Sequence, residues 1–185
     1  MPDIVLGIDP GLTRCGYGVI VKSSSRQVAF QRVGVFESSS KDELSVRIEK
    51  IGTAISKLLA EVKPDSVAIE RVFSQQNLHS VMSVAQISGV IVYLCKKKGI
   101  PVTFYTPTEV KAAVTGSGRA SKDQVTTMVT KILHLKEIPK PADAADALAI
   151  AITAAWRGSG SQQVTETASQ RKWRDAEAAS KQKQR

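Results

Sequence analysis

The amino-acid sequence predicts a mixed α/β protein. Short, nearly continuous apolar runs alternate with longer stretches whose apolar residues recur every three or four positions. Two of the longer stretches also open on a capping box. The chain has 185 residues, 42% of them hydrophobic, enough to bury one substantial core. Domains usually run to about 100–200 residues. One domain over residues 1–156, followed by a tail over 157–185, is therefore expected.

Each element has its own reason. IVLGID (residues 4–9), CGYGVIVK and QVAFQRVGVF are strands separated by glycine- and serine-containing turns, an antiparallel start. In KDELSVRIEKIGTAISKLLAEVK, the residues Leu44, Ile48, Ile51, Ile55, Leu58 and Val62 form one apolar stripe of a long helix. SVAIE (66–70) reads as a buried strand, NLHSVMSVAQISGVIVYLCKK as a helix and PVTFY as a fifth strand. Thr106, Pro107 and Glu109 then supply the N-cap, first position and capping-box acid of the next helix. Ser121 and Gln124 do the same for a helix that ends near Leu135. The last helix runs from Pro139 to Trp156 with Pro141 in its first turn. From Ala147 onward its one polar side chain is Thr153, the composition of a buried helix.

The formal net charge is +9, with an isoelectric point near 9.7. The tail contributes +4 through seven Lys/Arg and three Asp/Glu, so residues 1–156 carry +5 and are basic in their own right. That balance suits a polyanionic partner, although a solvated surface of mixed charge has the same composition. With Val164 and Trp173 as its only large apolar residues, the tail buries too little to offset its ordering entropy. Met1-Pro2-Asp3 enters a strand without the basic segment of a secretory signal. The longest apolar run, Ile87 to Cys95, is shorter than the roughly 20 residues of a membrane span. Cys15 and Cys95 match no metal-ligand spacing and are too few for a disulfide framework, so a cytoplasmic location is expected.

The acids are placed more tellingly than the scaffold. Asp9 ends the first strand and Glu70 the fourth, and the long helix between them allows a crossover to a parallel strand, with both acids at one sheet edge. Ligands of open sheets bind beyond the carboxyl ends of parallel strands. Asp9 shares a face with Gly7 and Val5, and Glu70 with Ala68 and Ser66, small neighbours that leave room for something to pack. Either acid alone also reads as a polar residue closing a strand at the solvent boundary. Asp143 alone could serve the positive end of the last helix. Asp146, a turn further into an apolar helix, has no such account. Burial of two like charges drives one to protonate unless a cation compensates. Carboxylate oxygens suit the hard cations Mg²⁺ and Mn²⁺.

The stretches GIDPGLTRCGYGVI, AIERVF with an asparagine four residues after Phe73, and ADAADALAIAI stand in this order. Over about residues 3–156 they resemble the RuvC family of Holliday junction resolvases. The resemblance implies an RNase H-like fold, a mixed five-stranded sheet flanked by helices. It implies that Asp9, Glu70, Asp143 and Asp146 are a catalytic, metal-binding tetrad for Mg²⁺, with Mn²⁺ able to substitute. It further implies a homodimer that cuts opposing strands of four-way junction DNA symmetrically, leaves 5′-phosphate and 3′-hydroxyl ends, and works with the RuvA and RuvB branch-migration proteins. Phe73 would stack on an unpaired base, with Lys111, Arg119 and Lys122 as further DNA-binding residues around the loop from Thr115 to Arg119. Phe73 can also be read as a core aromatic, and both lysines as ordinary surface residues.

Two cations can serve both ends of an in-line phosphodiester hydrolysis without a protein nucleophile. On that reading Asp9 bridges both ions, Glu70 favours one, and Asp143 with Asp146 completes the shell. His79 and His134 fit it, since neither has a Ser or Cys partner at a recognisable spacing. Many relatives have a lysine where Gln76 stands and an arginine where Ser88 stands, so two DNA-facing charges are expected to be missing. The helix from Asn77 to Lys98 is apolar almost all round between Val84 and Cys95, more than one buried face needs, and is expected to form part of a dimer interface. GIDPGLT also resembles the phosphate-binding turn of actin-like and sugar-kinase ATPases, which need a second large lobe that 185 residues do not supply. A non-catalytic junction-binding module, or an RNase H-like nuclease for another nucleic acid, differs from a resolvase only in activity.

Overall fold

The computed structural model describes residues 2–71 and 78–158, with 78–80 described through their backbone alone. Phe73, Gln76 and the chain from 159 onward lie outside the described residues. The elements are β1 (Asp3–Asp9), β2 (Arg14–Lys22), β3 (Val28–Glu37), α1 (Leu44–Val62), β4 (Ser66–Glu70), α2 (Leu78–Lys97), β5 (Val102–Tyr105), α3 (Pro107–Thr115), α4 (Lys122–Ile132) and α5 (Ala142–Arg157). They form the expected mixed five-stranded sheet, in the order β3-β2-β1-β4-β5. β1, β2 and β3 are antiparallel neighbours, whereas β4 runs parallel to β1 and β5 parallel to β4.

Alternation along the strands divides the core into two layers. Leu6, Ile8, Val19, Val67 and Ile69 face Ile51, Ile55, Leu58 and Leu59 of α1 and Ile87, Ile91 and Cys95 of α2. Val5, Ile20, Ala68 and Tyr105 face the opposite way, beneath α3, α4 and α5. The α1 stripe departs from expectation at its start. Leu44 is 44% exposed, so the apolar pattern continues for a turn beyond the packed surface, and Leu59 takes a buried place outside the expected stripe.

Both capping boxes form. Thr106 Oγ1 accepts from the Glu109 N–H, while the Glu109 carboxylate accepts from the Thr106 N–H at 2.8 Å. Ser121 and Gln124 repeat this at α4. α4 ends at Ile132, short of Leu135, where His134 adopts a left-handed φ of 51°. Pro141 is the N-cap of α5 rather than a first-turn residue. α5 continues to Arg157, one residue beyond the expected boundary, and the Arg157 guanidinium lies 3.1 Å from the Glu109 carboxylate.

The room beside the small strand residues is filled by α5. A Cβ on Gly7 would collide with the Ala147 carbonyl and lie 2.5 Å from the Ala151 nitrogen. One on Gly16 would strike the Asp143 carbonyl, and one on Gly18 would sit 2.8 Å from the Leu148 nitrogen. Strand register pairs Gly7 with Gly18 and Asp9 with Gly16, so the glycines form a groove that admits the helix backbone. The helix answers with alanines: Ala144, Ala145, Ala147, Ala149 and Ala151 are all buried. Its buried hydroxyl is satisfied, since Thr153 Oγ1 donates to the Ala149 carbonyl at 2.8 Å.

Gly7→Ala is therefore expected to destabilise the protein by about 3 kcal/mol or more, the upper range for overpacking a core. Urea unfolding of the variant measures this directly, and near-native stability would show that α5 is not seated as described.

Candidate active site

Asp9 and Glu70 end β1 and β4, which are parallel neighbours. Alternation puts Asp9 on the face of Gly7 and Glu70 on the face of Ala68, the face covered by α5. Asp143 sits in the first turn of α5 and Asp146 in the next. Because Gly16 is the strand partner of Asp9 and meets the backbone of Asp143, the seating of the helix brings the acids together. All four are half-buried.

Their charges are coupled. Burial, followed by the charges of Glu70, Asp146 and Asp143, pushes the Asp9 carboxyl from its ordinary 3.8 up to about 7, against a smaller lowering by Lys122. Burial and then Asp146 raise Glu70, while Lys122 and Lys111 lower it. The unfavourable electrostatics thus appear at the strand acids. On the helix each acid has a cation: Lys122 Nζ lies 2.7 Å from Asp146 Oδ2 and Arg14 Nε lies 2.9 Å from Asp143 Oδ2. The second contact lacks hydrogen-bond geometry, for Asp143 Oδ2 is buried and accepts no hydrogen bond. The bond to Asp146 raises the Lys122 ammonium, keeping it charged. The sequence expectation was four acids compensated by metal ions. In the structure two of them carry cationic partners, and Arg14 had no signal in the sequence beyond following GLT.

A carboxylate-only donor set, with one buried oxygen lacking a hydrogen bond and one acid pushed up to about 7 by burial and then by its neighbours' charges, fits a hard divalent cation. As the side chains stand, no group of three or more His, Cys, Asp or Glu among the described residues is arranged to hold an ion. A thiol alternative is absent: burial pushes Cys15 up to about 12 and Cys95 up to about 11, so neither supplies thiolate near neutral pH.

Clefts adjoin the acids. One, about 220 Å³, is lined by Glu70, Asp146, Lys111 and Lys122 together with Pro107, Val110, Val125 and Ala149. Both lysines expected at the site are therefore there. Arg119 is exposed in the turn before α4, its N–H donating to Ser117 Oγ, and does not line this cleft. A second cleft joins Glu70 to Arg71, Val81, Val84, Ala85, Ser88 and Phe104. Arg71, unnoticed in the sequence, lies 5.7 Å from the Phe104 ring centroid and puts a cation in the cleft where Ser88 had signalled a missing one.

A family model described as crossover junction endodeoxyribonuclease RuvC matches residues 5–154. The chain belongs to the RuvC family. The RuvC of Paenarthrobacter aurescens is 52% identical over 184 residues, covering 97% of both chains. That of Saccharopolyspora erythraea is 55% identical over 153 residues, covering 83% of this chain and 77% of its own. Among solved structures, Thermus thermophilus RuvC in complex with a Holliday junction substrate superposes with a TM-score of 0.80 at 34% identity, covering 84% of this chain and 94% of that one. The RNase H-like fold implied by the sequence is thus the fold of this chain.

The raised Asp9 gives a pH dependence. Folded Asp9 keeps its proton up to about pH 7, whereas the unfolded chain loses it near 3.8. Between those values the folded state binds more protons, so stability falls as pH rises. The metal-free protein is expected to melt at a higher temperature at pH 5.5 than at pH 8, and Asp9→Asn to flatten that dependence. Calorimetric melting in chelator across this range checks it, and an unaltered slope in the variant would remove Asp9 as the cause.

Proposed function

We propose that this chain is a divalent-cation-dependent endonuclease that resolves four-way DNA junctions by symmetric paired nicking. The observation that carries the reading is the convergence of Asp9, Glu70, Asp143 and Asp146 on one sheet edge in a basic chain of the RuvC family. The Thermus relative bound to a Holliday junction substrate supports the choice of DNA.

The four acids would hold two Mg²⁺ ions, or Mn²⁺ in their place. When bound, such ions supply an activated water and stabilise charge on the departing oxygen. The chain's own residues set the conditions. Asp9 would release its proton to solvent and, as a carboxylate, help hold the ions. Lys122 exchanges Asp146 for a DNA phosphate, and Lys111 keeps positive potential beside Glu70. The products carry 5′-phosphate and 3′-hydroxyl ends. Phe73, four residues before Asn77, would stack on an unpaired base, and Arg119 would meet the backbone from its turn.

Paired nicking requires two sites. Met82 and Tyr93 on α2 are each 61% exposed, and Ala85 and Gly89 lie exposed between them at helical spacing. Gly89 has open space around it. This apolar stripe suits the two-fold contact of a homodimer. RuvA and RuvB would be partners of that dimer, in the cytoplasm, with the nuclease unit ending at α5 and the 157–185 stretch as an appended basic tail.

Three variants test the chemistry. Asp146→Asn removes a pair with a largely exposed lysine, worth under about 1 kcal/mol, and relieves repulsion on Asp9 and Glu70. Its melting temperature and junction affinity are expected to stay near wild type. Cleavage should fall by more than the roughly 100-fold that loss of an outer-sphere partner costs. Asp9→Asn and Glu70→Gln should behave alike in gel-based cleavage, and near-normal cutting by any two of the three defeats the assignment. For the interface, Tyr93→Glu is expected to give monomers at micromolar concentration in sedimentation, and an intact dimer would place the contact elsewhere.

A further inference from the structure

An open cleft of about 600 Å³ runs from Asp143 away from the other three acids. Arg14 and Arg47 line it, with Thr13 and Ser40, and Asp143 is its one acid. Asp143 is already paired with Arg14. Arg47 is held differently. Its Nε donates to Ser38 Oγ at 3.1 Å and its Nη2 donates to Thr13 Oγ1 at 2.8 Å. Both partners are neutral hydroxyls, and among the described residues no carboxylate forms a salt bridge with it.

The anchor beneath Arg47 is firm. Ser38 is buried, its hydroxyl donates to the Leu12 carbonyl, and its N–H donates to the Thr13 carbonyl at 3.1 Å. The turn between β1 and β2 is thereby tied to the end of β3, with the guanidinium fixed on both. A guanidinium has five donors. Two are spent on hydroxyls, so the charge is oriented in advance and uncompensated, an arrangement that lowers the entropic cost of gripping an anion. A purely structural arginine would gain more from a carboxylate.

The geometry points to a phosphate seat: Arg47, seconded by Arg14, receives a backbone phosphate of the DNA strand next to the one addressed by the acids. This rests on the junction-nuclease reading above and adds a direction to it. The cleft with Lys111 and Lys122 reaches the acids at Asp146, and the cleft with Arg14 and Arg47 reaches them at Asp143. The cut strand crosses from the α3–α4 side to the β1–β2 turn, with phosphates held on each side of the scissile bond.

The test is junction affinity against salt concentration, in chelator so that no strand is cut, together with thermal melting. Each phosphate contact contributes about 0.7 to 0.9 to the slope of log affinity against log salt. Arg47→Gln is expected to lower the slope by that amount and weaken binding about tenfold at physiological salt. Arg47→Lys keeps the charge but not the fork, and should restore the slope with only part of the affinity. An unchanged slope in Arg47→Gln, with a lowered melting temperature in both variants, would make Arg47 a staple of the turn and overturn the inference. Should Arg47→Gln melt too low to assay, Arg47→Lys decides, because a fork in contact with phosphate predicts a loss and wild-type affinity overturns it. Wild-type protein with no preference for junction over duplex would instead overturn the parent reading, a result separate from any effect at Arg47.

Discussion

Helix α5 lies so close to β1 and β2 that only a hydrogen fits at Gly7, Gly16 and Gly18, and the candidate site depends on that contact. The helix must present backbone and alanine methyls to the sheet, which explains why a stretch so poor in bulky side chains is also the most buried helix of the fold. Close approach yields many small dispersion contacts where larger side chains would have left the helix standing off the sheet. The same contact sets the chemistry. Gly16 pairs with Asp9 across the strands and meets Asp143 across the layers, so lifting α5 would part the helix acids from the strand acids.

Gathering four acids at one edge has an electrostatic cost, and the chain meets it in two ways. Asp9 retains a proton up to about pH 7, and Lys122 and Arg14 engage the helix acids. Cations that neutralise carboxylates in the resting protein are also available to phosphates. On the proposed reading, divalent ions held by the acids would leave Lys122 and Arg14 to face DNA. Such a site would take a cation and a polyanion together, and residues 1–156 carry +5.

Much of this was legible in the sequence because it depends on local rules. Strand alternation, the capping boxes at Thr106 and Ser121, and the all-round burial of α5 follow from spacing alone, as does the placement of Asp9 and Glu70 at the ends of neighbouring parallel strands. The roles proposed for the acids came from the family resemblance. What the spacing did not reveal depends on register and on side-chain reach. That Gly7, Gly16 and Gly18 line up beneath one helix requires knowing how β1 and β2 pair. The pairing of Arg14 with Asp143 spans most of the chain, and Arg47 becomes notable only when Thr13 and Ser38 are seen beneath it. Leu44 misled because periodicity reports a stripe without saying where its cover ends.

The central claim, that the seating of α5 creates a divalent-cation site from mutually repelling acids, is tested most directly by counting protons. Mn²⁺ can be titrated into the metal-free protein by calorimetry in buffers of different ionisation enthalpy, at pH 6.5 and again at pH 8.5. A ligand that must lose its proton releases it on binding. With Asp9 titrating at about 7, the account predicts release of about one proton per chain at the lower pH and much less at the higher. Absence of Mn²⁺ binding, or binding with equal proton release at both pH values, would contradict it.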